Sequence, residues 1–290
     1  MNLYIVDAFT DQLFAGNQAG VALLGLGEDF PPDFFMRQVA GELKHSETAF
    51  IKPLSDTSFH IRYFTPVEEV DLCGHATIAS FTVLKQEKRI TDGSHSVLTK
   101  AGELNIHVTH DFIWMDMAPP RELRSFSEEE SIALYQAYGL DLSHCPKNLK
   151  PKIISTGLSD ILLPVNCYDA LVEANQRTVP VTRLSTAYEV VGFHLFYVSP
   201  ENNVTAHCRN FAPLYGIEEE SATGTANGAL TYYLYQYGLV LPERENTFIQ
   251  GESMGKPSVI KSRLTREQEQ VLIQVGGTGV ISLKGELWRS

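Results

Sequence analysis

A short phrase occurs twice in this chain, about half its length apart, and each copy ends where a helix begins. The first reads Arg62-Tyr63-Phe64-Thr65-Pro66, passes through acidic residues, and reaches Gly74-His75-Ala76-Thr77 and an apolar stretch. The second reads Arg209-Asn210-Phe211-Ala212-Pro213, again passes through acidic residues, and reaches Gly224-Thr225-Ala226-Asn227 and an apolar stretch. A duplicated strand–loop–helix unit implies two similar domains. Two glycine-led helix starts, each with unpaired N–H groups and a positive dipole end, favour a small anionic substrate.

The length of 290 residues suits two domains of roughly 100–150 residues, each with its own core. A net charge of −12 argues against a nucleic-acid surface or an anionic membrane, which need clustered Lys and Arg. The first nine residues turn acidic too early for a signal peptide, and no run reaches the roughly 18 apolar residues of a membrane helix. Cys73, Cys145, Cys167 and Cys208 lie far apart, so free thiols in a cytosolic protein are expected.

Strand patterns dominate. They are expected over Leu3–Ala8, Ser46–Ile51, Phe59–Phe64, Glu103–Thr109 and Phe112–Met117 in the first half. In the second half they fall on Pro151–Ser155, Ile161–Val165, His194–Val198, Val204–Asn210, Ser258–Lys261 and Gln270–Val275. Pro32–Leu43 has one apolar helical face, and Ser127 with Glu130 forms a capping box. Gly74–Leu84 and Gly224–Tyr237 are apolar nearly all round, as a helix surrounded by protein must be. Each is expected to thread the middle of a curved sheet. Met117-Ala118-Pro119-Pro120-Arg121 is the expected linker, placing domains at 1–117 and 118–279. A last strand, Val280–Lys284, leaves 280–290 able to complete the first domain or to pair with the second.

The duplicated residues also carry a family resemblance. Asp7-Ala8-Phe9-Thr10, Phe14-Ala15-Gly16-Asn17, Ser46-Glu47-Thr48, Arg62–Pro66, Leu72-Cys73-Gly74-His75-Ala76-Thr77 and Ala222-Thr223-Gly224-Thr225-Ala226 resemble the phenazine-biosynthesis (PhzF-like) proteins. The resemblance implies an α+β fold like that of diaminopimelate epimerase. It has two pseudo-symmetric domains, each a curved, barrel-like, mainly antiparallel sheet around a central helix, with the active site between them. It also implies a cofactor-free isomerase, commonly a homodimer. The type activity moves a hydrogen along the ring of a dihydro-hydroxyanthranilate.

Moving a proton between two carbons of one molecule needs a group that takes it and returns it, as a partly buried carboxylate can. Glu47, beside Ser46 at the start of an apolar strand, matches the family's acid/base glutamate. His75 matches its functional histidine at a helix start. Gly74 and Gly224 let the backbone approach a ligand closely, with Ser46, Cys73, Ala76 and Thr223 around them as expected substrate contacts. Glu220 stands where the family has aspartate, Ser221 where it has proline, and Thr225 where it has serine. The extra methylene of Glu220 moves its carboxylate by about 1.5 Å, enough to alter the substrate. Gln18 likewise replaces the proline usual after Gly16-Asn17.

Three other readings compete. In racemases of this fold two opposed cysteines move the proton, but the partner of Cys73 here is Thr223, whose hydroxyl is far less acidic than a thiol. No metal is expected, because His45, Glu47, Cys73 and His75 lack compact paired ligand spacing. A binding protein that kept the fold and lost the chemistry is the third, motivated by the altered Glu220-Ser221 segment. The remaining histidines have no evident partners, and Gly276-Gly277-Thr278-Gly279 reads as a tight turn rather than a phosphate loop.

Overall fold

The structure, a computed structural model, describes residues 1–110, 112–268 and 270–288. It divides into a first unit, residues 1–116 with the chain from Gly276 onward, and a second unit, Met117–Val275. The first half of the chain forms β1 (Asn2–Ala8), β2 (Asn17–Leu23), α1 (Asp33–Leu43), β3 (Thr48–Pro53), β4 (Ser58–Phe64), β5 (Glu69–Val70), α2 (Gly74–Gln86), β6 (Gly93–Thr99), β7 (Gly102–Val108) and β8 (Ile113–Asp116). The second half forms β9 (Arg121–Ser125), α3 (Glu128–Gln136), β10 (Lys152–Ser155), β11 (Ser159–Pro164), α4 (Tyr168–Glu173), α5 (Thr178–Tyr188), β12 (Gly192–Val198) and β13 (Ala206–Ala212). It continues with β14 (Ile217–Glu220), α6 (Gly224–Gln236), β15 (Glu245–Gln250), β16 (Ser258–Glu267), β17 (Gln270–Gly277) and β18 (Gly279–Glu286).

Both units repeat one strand order. In the first, β1 pairs antiparallel with β2, β2 parallel with β3, β3 antiparallel with β4, β4 antiparallel with β5 and parallel with β6. In the second, β10 to β15 repeat the same sequence of pairings. The last strand, β18, pairs antiparallel with β1. In each unit the strands are mainly antiparallel and enclose one helix, the α+β architecture expected.

The central helices are held by burial rather than by propensity. Ten consecutive residues of α2, His75–Leu84, are buried, and β1, β2, β3, β8 and β18 lie against it. Each buried aliphatic or aromatic side chain contributes about 1.5–3 kcal/mol. That exceeds the roughly 0.5 kcal/mol that a β-branched residue costs a helix. Its buried hydroxyls are satisfied within the helix: Thr77, Ser80 and Thr82 donate to the carbonyls of Cys73, Ala76 and Ile78. The helix α6 is built the same way, packed against β10, β11 and β16.

Some boundaries differ from the sequence expectations. The strands β2, β6 and β15 were not expected, because Gly, Asn, Ser and Glu interrupt their apolar alternation. The helix α5 was hidden by its Val and Thr content and by Pro180, which is tolerated in a first turn. The Gly276–Gly279 stretch is not a tight turn: only Thr278 separates β17 from β18. Its glycines answer crowding, since a Cβ on Gly276, Gly277 or Gly279 would strike Trp114, Phe9 or Thr82 respectively. In the Asp7–Asn17 motif, the buried Asp7 carboxylate accepts the Phe14 N–H at 2.8 Å. That bond helps hold a loop in which Phe9 and Phe14 take left-handed φ of 62° and 69°. Among the described residues no helix is long and apolar enough to cross a membrane.

Candidate active site

In the first unit, three candidate residues gather around the imidazole of a fourth, His75. Glu47 lies just before β3, and its carbonyl accepts the Gly20 N–H at 3.1 Å, which ties it to β2. Its side chain is 14% exposed, with Oε2 3.3 Å from Nε2 of His75. That oxygen is closed to solvent and accepts no well-formed hydrogen bond. His75, the second residue of α2, is 3% exposed. Ser46 Oγ lies 3.4 Å from Nε2 of the same ring, and Cys73 Sγ lies 3.4 Å from Nδ1. A carboxylate oxygen and an imidazole nitrogen at this separation can pass a proton or hold one between them.

Cys73 is poorly suited to moving a proton. Burial, and next the Glu47 charge, push its thiol up to about 11. At neutral pH it is a thiol, not a thiolate.

Glu47, Cys73 and His75 offer ligand atoms within 4.8 Å of one another. Sγ, however, sits nearly midway between the two ring nitrogens, at 3.4 and 3.8 Å. A metal on either nitrogen would extend along that nitrogen's lone pair, beyond the roughly 2.3 Å reach of a zinc–thiolate bond. The three cannot share an ion as they stand, although Glu47 and His75 could.

Neither central helix caps its own start. Cys73 and Thr223, the residues before α2 and α6, form no well-made side-chain cap, although the Cys73 sulfur lies near the Ala76 N–H, and neither first turn contains an acid. At Gly74 the space for a side chain is bounded by the Met115 methyl at 3.4 Å, so the glycine leaves the helix start uncovered. The buried Ala76 follows in the same turn.

In the second unit, Glu220 ends β14 and its Oε2 accepts the Thr223 hydroxyl at 2.5 Å. The longer glutamate side chain thus curls back onto the start of α6. Gln250 braces this turn, donating to the Glu220 carbonyl at 2.7 Å and to Thr223 Oγ1 at 3.1 Å. Its Oε1 accepts from Asn227 at 2.9 Å. Thr225 is one residue inside the helix rather than its cap, and its carbonyl accepts the Thr156 hydroxyl at 2.9 Å. Gly224 is buried.

The two units can be matched residue by residue. Arg62 pairs with Glu69 through two hydrogen bonds, and Arg209 pairs with Glu219 in the same way. Strand register then matches Glu47 with Gly192, because Thr48 faces Phe64 as Phe193 faces Phe211. A Cβ on Gly192 would strike the Phe211 carbonyl. The carboxylate of Glu47 therefore has no counterpart in the second unit.

Sequence reasoning missed Gln250, Asn227, Asp160, Asn210 and His194. His194, treated as scattered, is fully buried and accepts from Asn210 at 3.3 Å. His207 likewise has a partner, Glu252 at 2.7 Å. The duplication gave a signal for one of them: aligned on Arg62 and Arg209, the two halves set Tyr63 against Asn210, while the match of Ala49 with His194 needs the strand register.

The family described as phenazine biosynthesis-like protein matches residues 6–285. An uncharacterized isomerase of Clostridium acetobutylicum is 32% identical over 99% of this chain and 97% of its own length. The uncharacterized isomerase YddE of Escherichia coli K12 is 31% identical over 98% of this chain and 97% of its own. Among solved structures, a PhzF-family phenazine biosynthesis protein of Bacillus anthracis superposes with a TM-score of 0.88 at 26% identity. That match covers 100% of this chain and 99% of the other.

Proposed function

This chain belongs to the phenazine biosynthesis-like protein family and is an isomerase, and from that premise we propose that it moves a proton between carbons of a small carboxylated substrate with Glu47 as the acid/base. The observation that carries the reading is the contact of Glu47 Oε2 with His75 Nε2 at the uncapped start of α2. Glu47 takes the proton from one carbon and returns it to another, so no second base is needed. His75 donates to the developing negative charge, and Ser46 steadies the ring. The helix starts at Gly74 and, in the second unit, at Gly224 each favour an anionic group such as a substrate carboxylate. Glu220 and Thr225 orient the remaining polar groups of the substrate, with Cys73, Ala76 and Thr223 as packing contacts.

Thiol chemistry fits less well, because the Cys73 thiol is pushed up by burial and its counterpart is Thr223. By family likeness we also propose that the enzyme works without a cofactor and as a homodimer. The test is proton NMR in D₂O with a dihydro-hydroxyanthranilate and a panel of cyclic amino and hydroxy acids. Deuterium incorporation or double-bond migration that disappears in Glu47→Gln supports the reading; turnover that survives this substitution overturns it.

A further inference from the structure

Four neighbouring strands of the second unit carry polar side chains in a row where a sheet enclosing a helix should be apolar. They are Asp160 on β11, His194 on β12, Asn210 on β13 and Glu220 on β14. His194 lies opposite Asn210, and Asn210 opposite Glu220. Asp160 lies opposite Gly192, two residues before His194. The row faces α6: Phe196, two residues after His194, packs its ring on Tyr233 of that helix. The alternate residues Ile161, Phe193, Leu195 and Phe211 point the other way, into the core under α3, α4 and α5.

All of the row but the half-buried Glu220 is sealed from solvent. Asp160 and Asn210 are each 2% exposed, and His194 and Asn227 are 0% exposed. Asn210 lies close enough to act on the Asp160 carboxyl and donates to Nδ1 of His194, which leaves the ring proton on Nε2. Asn227 of α6 is close enough to act on that ring. Even so, His194 Nε2 and Asn227 Oδ1 fall short of a formed hydrogen bond.

Internal duplication supplies the control. Strand register and the paired arginines match Asp160, His194, Asn210, Glu220 and Asn227 with Ala19, Ala49, Tyr63, Val70 and Thr77 of the first unit. The first unit builds the same strands around the same helix with no ionisable carboxyl at those positions. The fold therefore does not demand them.

Among the described residues, no cation balances Asp160 within the row. The titratable groups around it are Glu220 on β14, His194 on β12 and Tyr138 after α3. Burial drives His194 down to about 3, so its ring is neutral. The Arg209 guanidinium lies on the other face, bonded to Glu219 and to the carbonyls of Leu171, Val172 and Ala174. An ionised carboxylate so placed, beside a second one, is strongly disfavoured. Burial first, and the charge of Glu220 second, push Asp160 up to about 7.

We propose that Asp160 is a positioning residue for Glu220: it carries the proton of the two carboxyls and so leaves the negative charge on Glu220, at the start of α6. The proposal rests on the reading of Glu220 as a substrate-orienting group. When Asp160 ionises, a buried charge is added beside Glu220 and opposes an anionic substrate, so KM rises while kcat changes little.

Two measurements test this. Infrared difference spectroscopy of the whole protein should show a protonated-carboxyl band at about pH 6 that fades by about pH 8. The band should be missing in Asp160→Asn, and its midpoint should fall by about one pH unit in Glu220→Gln. In the deuterium-exchange assay, KM should rise about tenfold from pH 6 to pH 8.5 in the wild type and stay nearly flat in Asp160→Asn. A missing band, a band unmoved by Glu220→Gln, or the same KM rise in Asp160→Asn overturns the proposal. If no substrate of the panel turns over, the proposed substrate class fails on its own while the infrared bands still decide the carboxyl pair.

Discussion

Glu47 and Cys73 stand within reach of the same imidazole, and burial works against the thiol. Cys73 is buried and held as a thiol by burial and by the nearby carboxylate, whereas Cys167 is exposed. Iodoacetamide at neutral pH should therefore label Cys167 well before Cys73, as read by peptide mass spectrometry; prior labelling of Cys73 would show a reactive thiolate at the site. His75 is expected to matter through its ring nitrogens rather than its bulk. His75→Asn should lower kcat by about 100-fold with the melting temperature little changed. A change confined to stability would make His75 a packing residue.

At the level of elements, Ser127 caps α3 with both bonds of the capping box, its hydroxyl to Glu130 N–H and the Glu130 carboxylate to its own N–H. Ser127→Ala should cost about 1 kcal/mol in urea unfolding; no loss would mean that packing alone holds this helix. This box was legible in the sequence because it is a local pattern. So were the central helices, because Ala76–Leu84 and Ala226–Tyr235 have no polar face to turn toward water. The strands β2, β6 and β15 were not, since long-range pairing holds them despite a weak alternation. The same limit applied to the site. Glu47, His75 and Glu220 sit in short motifs that can be read directly. Asp160, His194 and Asn210 come together only through strand register, and no spacing along the chain announces it.

For the molecule as a whole, the buried Asp160 ties stability to pH. Its carboxyl is raised from 3.8 to about 7 on folding, so between those values the folded state binds the extra proton. The stability this contributes is complete below about pH 4 and is lost as pH rises toward 7, with no further change above. Asp160→Asn should therefore raise the melting temperature more at pH 8 than at pH 5, and equal gains would show that Asp160 is not protonated on folding. Light scattering should give about twice the chain mass of 32.3 kDa if the enzyme is a homodimer, and a single chain mass would remove that proposal. The central claim is that one carboxylate, not a thiol, moves the proton. The most direct measurement is the rate of deuterium incorporation from D₂O into a turned-over substrate by Glu47→Gln and by Cys73→Ala. Glu47→Gln should lose at least about 1000-fold and Cys73→Ala less than about tenfold; the reverse order would contradict the account.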